Sequence, residues 1–99
     1  MDRPTREEIL MLLSGQRELL DEFSVSSLSL FGSVARDEAT DRSDVDLLVE
    51  FSKPIGLLQF VALKRALEDV LRRPVDLATR GSLKPQLRER ILKEAVRAA

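Results

Sequence analysis

The sequence predicts an α/β (α+β) domain, on three observations. Short runs with the two-residue periodicity of strands sit at residues 27–31, 44–51 and 74–78. The segments before, between and after them carry apolar residues at helical spacing. A composition of 43% hydrophobic and 33% charged residues is that of a packed globule, not a disordered tail. The 99 residues make one domain, 1–99, near the lower end of sizes that build a core without disulfides or metal staples.

Residues 1–24 read as helix. Thr5-Arg6-Glu7-Glu8 has the form of a capping box, and Ile9, Leu12, Leu13, Leu19, Leu20 and Phe23 recur on one side. Ser14-Gly15 interrupts the pattern, and a helix-interior glycine costs ~1 kcal/mol relative to alanine, which favours two shorter helices. Ser27-Leu28-Ser29-Leu30-Phe31 follows as a strand with one covered face. It ends at Gly32-Ser33, where glycine permits a tight turn and Ser33 is placed to cap a helix starting at Val34, over Ala35 to Glu38. Asp37 to Arg42 is a polar loop. After the second strand, Ser52-Lys53-Pro54-Ile55-Gly56 breaks the pattern. Leu57, Phe60, Val61, Leu63, Leu67, Val70 and Leu71 then form a helical stripe that must stop before Pro74. Pro74-Val75-Asp76-Leu77-Ala78 is a short third strand. Pro85 opens a last helix whose apolar face is Leu87, Ile91, Ala95 and Val96. Its basic residues, with Arg80 and Lys84, fit a solvated face, the competing reading being contact with a triphosphate or an acidic partner.

The chemistry concentrates in Ser43-Asp44-Val45-Asp46-Leu47-Leu48-Val49-Glu50-Phe51. Asp44 and Asp46 project on the same face of a strand while Val45, Leu47 and Val49 pack behind them. Two adjacent unpaired carboxylates repel and resist desolvation, so the pair calls for a counter-cation. Mg²⁺ suits them, because it takes hard oxygen ligands and binds through one or two carboxylates together with substrate phosphates. If the first two strands are antiparallel, Gly32-Ser33 and Asp44/Asp46 meet at one edge, with a helix N-terminus suited to phosphate oxygens. Taken alone, Gly32-Ser33 reads as a capped turn with no ligand and Asp76 as a strand-end turn residue, while Arg36 reads equally as a phosphate contact or a solvated side chain.

Other chemistries are excluded or disfavoured by composition. There is no cysteine for thiolate chemistry and no histidine to serve as general base or zinc ligand. A net charge of −1 argues against holding nucleic acid by bulk electrostatics, so no direct nucleic-acid binding is expected. No apolar run approaches the ~20 residues of a membrane span and no signal peptide opens the chain, so a cytoplasmic protein is expected.

Phe31-Gly32-Ser33-Val34-Ala35-Arg36, with ten residues between Ser33 and Asp44-Val45-Asp46 and then an apolar strand, resembles the nucleotidyltransferase superfamily that includes DNA polymerase beta. More narrowly it is similar to the minimal nucleotidyltransferases, small prokaryotic proteins of about this length, over nearly the whole chain. Asp37 departs from them, standing where many relatives have glycine. The resemblance implies the nucleotidyltransferase fold, a small mixed sheet of about three to four strands flanked by helices. It implies Asp44, Asp46 and Asp76 as catalytic and metal-binding residues, with Mg²⁺ as cofactor and ATP as substrate. Gly32 and Ser33 would hold phosphates, and Arg36 would hold the turn against the carboxylates. It also implies a HEPN-domain toxin as partner, with AMP added to a tyrosine of that toxin. The alternatives are an antitoxin that neutralises its partner by contact alone and, more remotely, an enzyme modifying a small molecule such as an antibiotic. Apolar surface around the first helix leaves room for homo- or hetero-oligomers.

Overall fold

The computed structural model describes residues 3–99. Helices α1 (Arg6–Ser14) and α2 (Arg17–Glu22) lead into strand β1 (Val25–Phe31) and a single helical turn, α3 (Gly32–Ala35). Then come β2 (Val45–Phe51), α4 (Leu57–Leu71), β3 (Val75–Ala78), a 3₁₀ turn at Arg80–Ser82, α5 (Pro85–Glu94) and β4 (Val96–Arg97). The four strands form one mixed sheet in the order β3-β2-β1-β4. β1 is antiparallel to both neighbours, and β2 and β3 are parallel, joined through α4. This is the mixed sheet flanked by helices that the sequence predicts. No helix among the described residues is long and apolar enough to cross a membrane.

The break at Ser14-Gly15 divides the leading segment as expected. The Thr5 hydroxyl accepts the Glu8 amide at 3.2 Å, so Thr5 caps α1. Ile9, Leu13 and Leu20 reach the core, while Leu12 of the expected stripe lies 44% exposed. In α4 the buried residues are Leu63, Leu67 and Leu71, spaced one turn apart. Leu57 and Val61 of that expected stripe lie outside the core, 77% and 37% exposed.

The sheet has two unequal faces. One carries Leu28, Leu30, Val45, Leu47, Val49, Val75 and Leu77 into the main core with the α1, α2 and α4 residues. The other carries Phe31 and Leu48 into a smaller cluster with Leu83 of the loop before α5 and Ile91 of α5. Asp46 pairs across from Phe31 and side by side with Asp76, so both acids stand on this second, thinner face.

Three expectations need correction. The turn after β1 begins at Gly32 and ends at Ala35, so the expected helix over Ala35 to Glu38 lies one turn too late. Ser33 is inside that turn and makes no capping bond; Phe31 is the cap. Finally, α5 ends at Glu94, so Val96 belongs to β4, pairing with Leu30, and is not part of the helical apolar face. Leu87, also assigned to that face, is 37% exposed.

Candidate active site

The site is built at the start of β2. The antiparallel register sets Asp46 opposite Phe31, the residue before Gly32, and the parallel register sets Asp46 beside Asp76. Asp44, two residues before Asp46, is exposed, as is Asp76, while Asp46 is half-buried. Gly32 holds φ at +76°, in the region that disfavours a side chain, and a Cβ there would overlap the Asp46 carboxylate. The glycine therefore does two things. It turns the chain from β1 into α3, and it lets the backbone lie directly on the Asp46 carboxylate.

That carboxylate is strained electrostatically. Burial first, and then the nearby charges of Asp76 and Asp44, push the Asp46 carboxyl up to about 6. The Arg36 charge works against this rise, and Glu94 adds to it. Among the described residues, no ion pair or hydrogen bond engages the side chains of Asp44, Asp46 or Asp76. The acids are gathered but not clasped, since no three of the described acidic side chains stand close enough to surround an ion. Asp44 and Asp76 are exposed and unbonded, free to change rotamer, and the donor set is entirely carboxylate oxygen. A half-buried carboxylate beside two more, with no protein cation bonded to them, fits a hard divalent cation such as Mg²⁺.

Arg36 does not bond the three aspartates. Its guanidinium reaches Glu38 at 2.6 Å and both oxygens of Glu94 at 3.1 Å, tying α3 to the end of α5. The expectation that Arg36 holds the turn against the carboxylates is corrected to that extent: it acts on Asp46 only through its field. Glu94 itself went unnoticed in the sequence. It accepts the Gly32 amide at 2.8 Å across 62 residues of chain, and no local pattern marks such a contact. The Ser33 hydroxyl has no partner among the described residues. Arg80, considered for a triphosphate, pairs with Glu50 at 3.3 Å, four residues beyond Asp46 along β2 and away from the acids. A surface depression of about 570 Å³ lined by Glu50, Lys53 and Arg80 lies at that same far end.

Asp37, the departure from the usual glycine, has φ +56°. It is a left-handed position that glycine would fill without strain, and Asp37 is compensated by accepting the Arg6 amide at 3.0 Å. It fastens the turn to the start of α1 and leaves the acids untouched.

Residues 13–98 match the nucleotidyltransferase domain family. The chain belongs to the nucleotidyltransferases. A relative from Thermococcus cleftensis, named protein adenylyltransferase MntA, is 41% identical over 93 residues, which are 93% of this chain and 94% of that one. A Methanocaldococcus jannaschii protein named as a candidate protein adenylyltransferase is 47% identical over 78 residues, covering 79% and 84% of the two chains. A solved structure described as a candidate minimal nucleotidyltransferase matches with TM-score 0.79 at 38% identity, over 93% of this nucleotidyltransferase and 94% of that chain. The fold also matches a Shewanella oneidensis complex of a tri-AMPylated HEPN toxin with its minimal nucleotidyltransferase antitoxin, at TM-score 0.65 and 19% identity, covering 91% and 71%. The resemblance drawn from Gly32-Ser33 and Asp44-Val45-Asp46 is thus borne out.

Proposed function

We propose that this nucleotidyltransferase moves AMP from ATP onto a tyrosine hydroxyl of a HEPN-domain toxin, acting as that toxin's antitoxin. The observation that carries the chemistry is the unpaired, half-buried Asp46 between Asp44 and Asp76, directly against the Gly32 backbone. The names of the Thermococcus relative and of the Shewanella complex support AMP as the transferred group and a HEPN toxin as the acceptor.

The residues divide the work as follows. Asp44 and Asp46 would hold Mg²⁺, with Asp76 completing the set; bound there, the metal supplies charge neutralisation and polarises the phosphates. The Gly32 amide and the Ser33 hydroxyl bind and orient the β- and γ-phosphates, fixing the α-phosphorus in line with the incoming hydroxyl. The acceptor oxygen bonds to the α-phosphorus, the bond from that phosphorus to the bridging oxygen breaks, and pyrophosphate leaves. Asp76, exposed beside Asp46, takes the acceptor's proton. With no histidine in the chain, carboxylates do the acid–base work.

One observation favours a contact-only antitoxin: the Gly32 amide is already engaged by Glu94. A single experiment separates the readings. With labelled ATP, Mg²⁺ and the toxin, the wild-type chain is expected to label the toxin, and Asp44→Asn with Asp46→Asn to abolish labelling while the chain stays folded. Toxin neutralisation that survives the double substitution would show that contact suffices.

A further inference from the structure

Glu94 stands at the last residue of α5, where the negative end of the helix dipole disfavours a carboxylate, and its charge adds to the load on Asp46. Among the described residues, no ion pair or side-chain hydrogen bond from α5 itself engages it. What holds it is an oxyanion grip: the Gly32 amide donates to Oε2 at 2.8 Å, and Arg36 Nη1 donates to both oxygens at 3.1 Å. An amide and a guanidinium converging on an anion is also what a phosphate oxygen would meet at this turn. The Glu94 side chain is 20% exposed, so its hold faces solvent and is open to competition.

We propose that Glu94 is a built-in competitor for polyphosphate, which an incoming nucleotide must displace to reach Gly32 and Arg36. The proposal rests on reading the Gly32 turn as the triphosphate seat.

The test uses the full chain with Mg²⁺ and inorganic tripolyphosphate, titrated calorimetrically against wild type, Glu94→Ala, Glu94→Gln and Glu38→Gln. Glu94→Ala is expected to bind roughly ten-fold tighter than wild type, the size of a displaced charge-assisted hydrogen bond. Glu94→Gln keeps an acceptor without the charge and should gain less. Glu38→Gln removes one charge from the other partner of Arg36 without freeing the Gly32 amide, and should gain least. Equal or weaker binding by Glu94→Ala, or a gain matched by Glu38→Gln, overturns the proposal. If those results come from a chain that still labels the toxin with AMP, only the role of Glu94 falls. If neither tripolyphosphate nor ATP binds any variant, the triphosphate seat falls as well.

Discussion

At Gly32 a side chain would have to occupy space taken by the Asp46 carboxylate, at a φ that costs an L-residue roughly 1–2 kcal/mol. Gly32→Ala is therefore expected to lose about 2 kcal/mol or more in chemical denaturation and to lose nucleotide binding with it, since the carboxylate must move. Asp37 gives a contrasting case. Asp37→Gly removes strain but also the bond to the Arg6 amide, so the two changes nearly cancel, whereas Asp37→Ala keeps the strain, loses the bond and should cost about 1 kcal/mol. At Asp46 the folded-state value of about 6 lies above the ordinary 3.8, so the folded chain holds the proton more tightly than the unfolded chain. Metal-free stability should accordingly fall as pH rises from about 4 to 6, then level off. Asp46→Asn should remove that slope and melt higher than wild type at pH 7 in chelator. Asp44, just before β2, and Asp46 within it were legible because they stand two residues apart at the opening of an apolar strand. Glu94 was not, because its meaning lies in an amide 62 positions away in the chain.

Among the elements, α4 places Leu63, Leu67 and Leu71 in the main core, the first two without exposed surface. Leu67→Ala should cost about 2–5 kcal/mol by denaturant titration, with little effect on the acids, which stand on the opposite face. The strands and long helices were readable wherever one face is buried, since burial imposes the period on the residues. The pattern fails where burial stops: at Leu57 and Val61 the apolar spacing continues although both side chains are exposed. β4 was unreadable for a different reason. Two residues carry no period, and only the docking of α5 brings Val96 and Arg97 alongside Leu30 and Ser29. The turn α3 was misplaced because Ser33 has the chemistry of a cap, while the turn starts at Gly32, with its positive φ, two residues before the expected Val34.

For the whole molecule, the thick face of the sheet supplies the core and the thin face carries the chemistry. α5 and the loop before it cover only part of that thin face, through Ile91 and Leu83 against Phe31 and Leu48, and the last residue of α5 reaches the Gly32 turn. This arrangement places three carboxylates, a backbone amide and one arginine around a single sheet end, and it is the sheet register that brings them together. The central claim is that these acids are completed by a divalent metal and a polyphosphate. Calorimetric binding of a non-hydrolysable ATP analogue, with and without Mg²⁺, to wild type and to Asp46→Asn tests it most directly. Wild type should bind only with Mg²⁺ present, and Asp46→Asn should lose that metal-dependent binding while keeping its fold. Binding by wild type that is the same in chelator, or that Asp46→Asn leaves unchanged, would contradict the account.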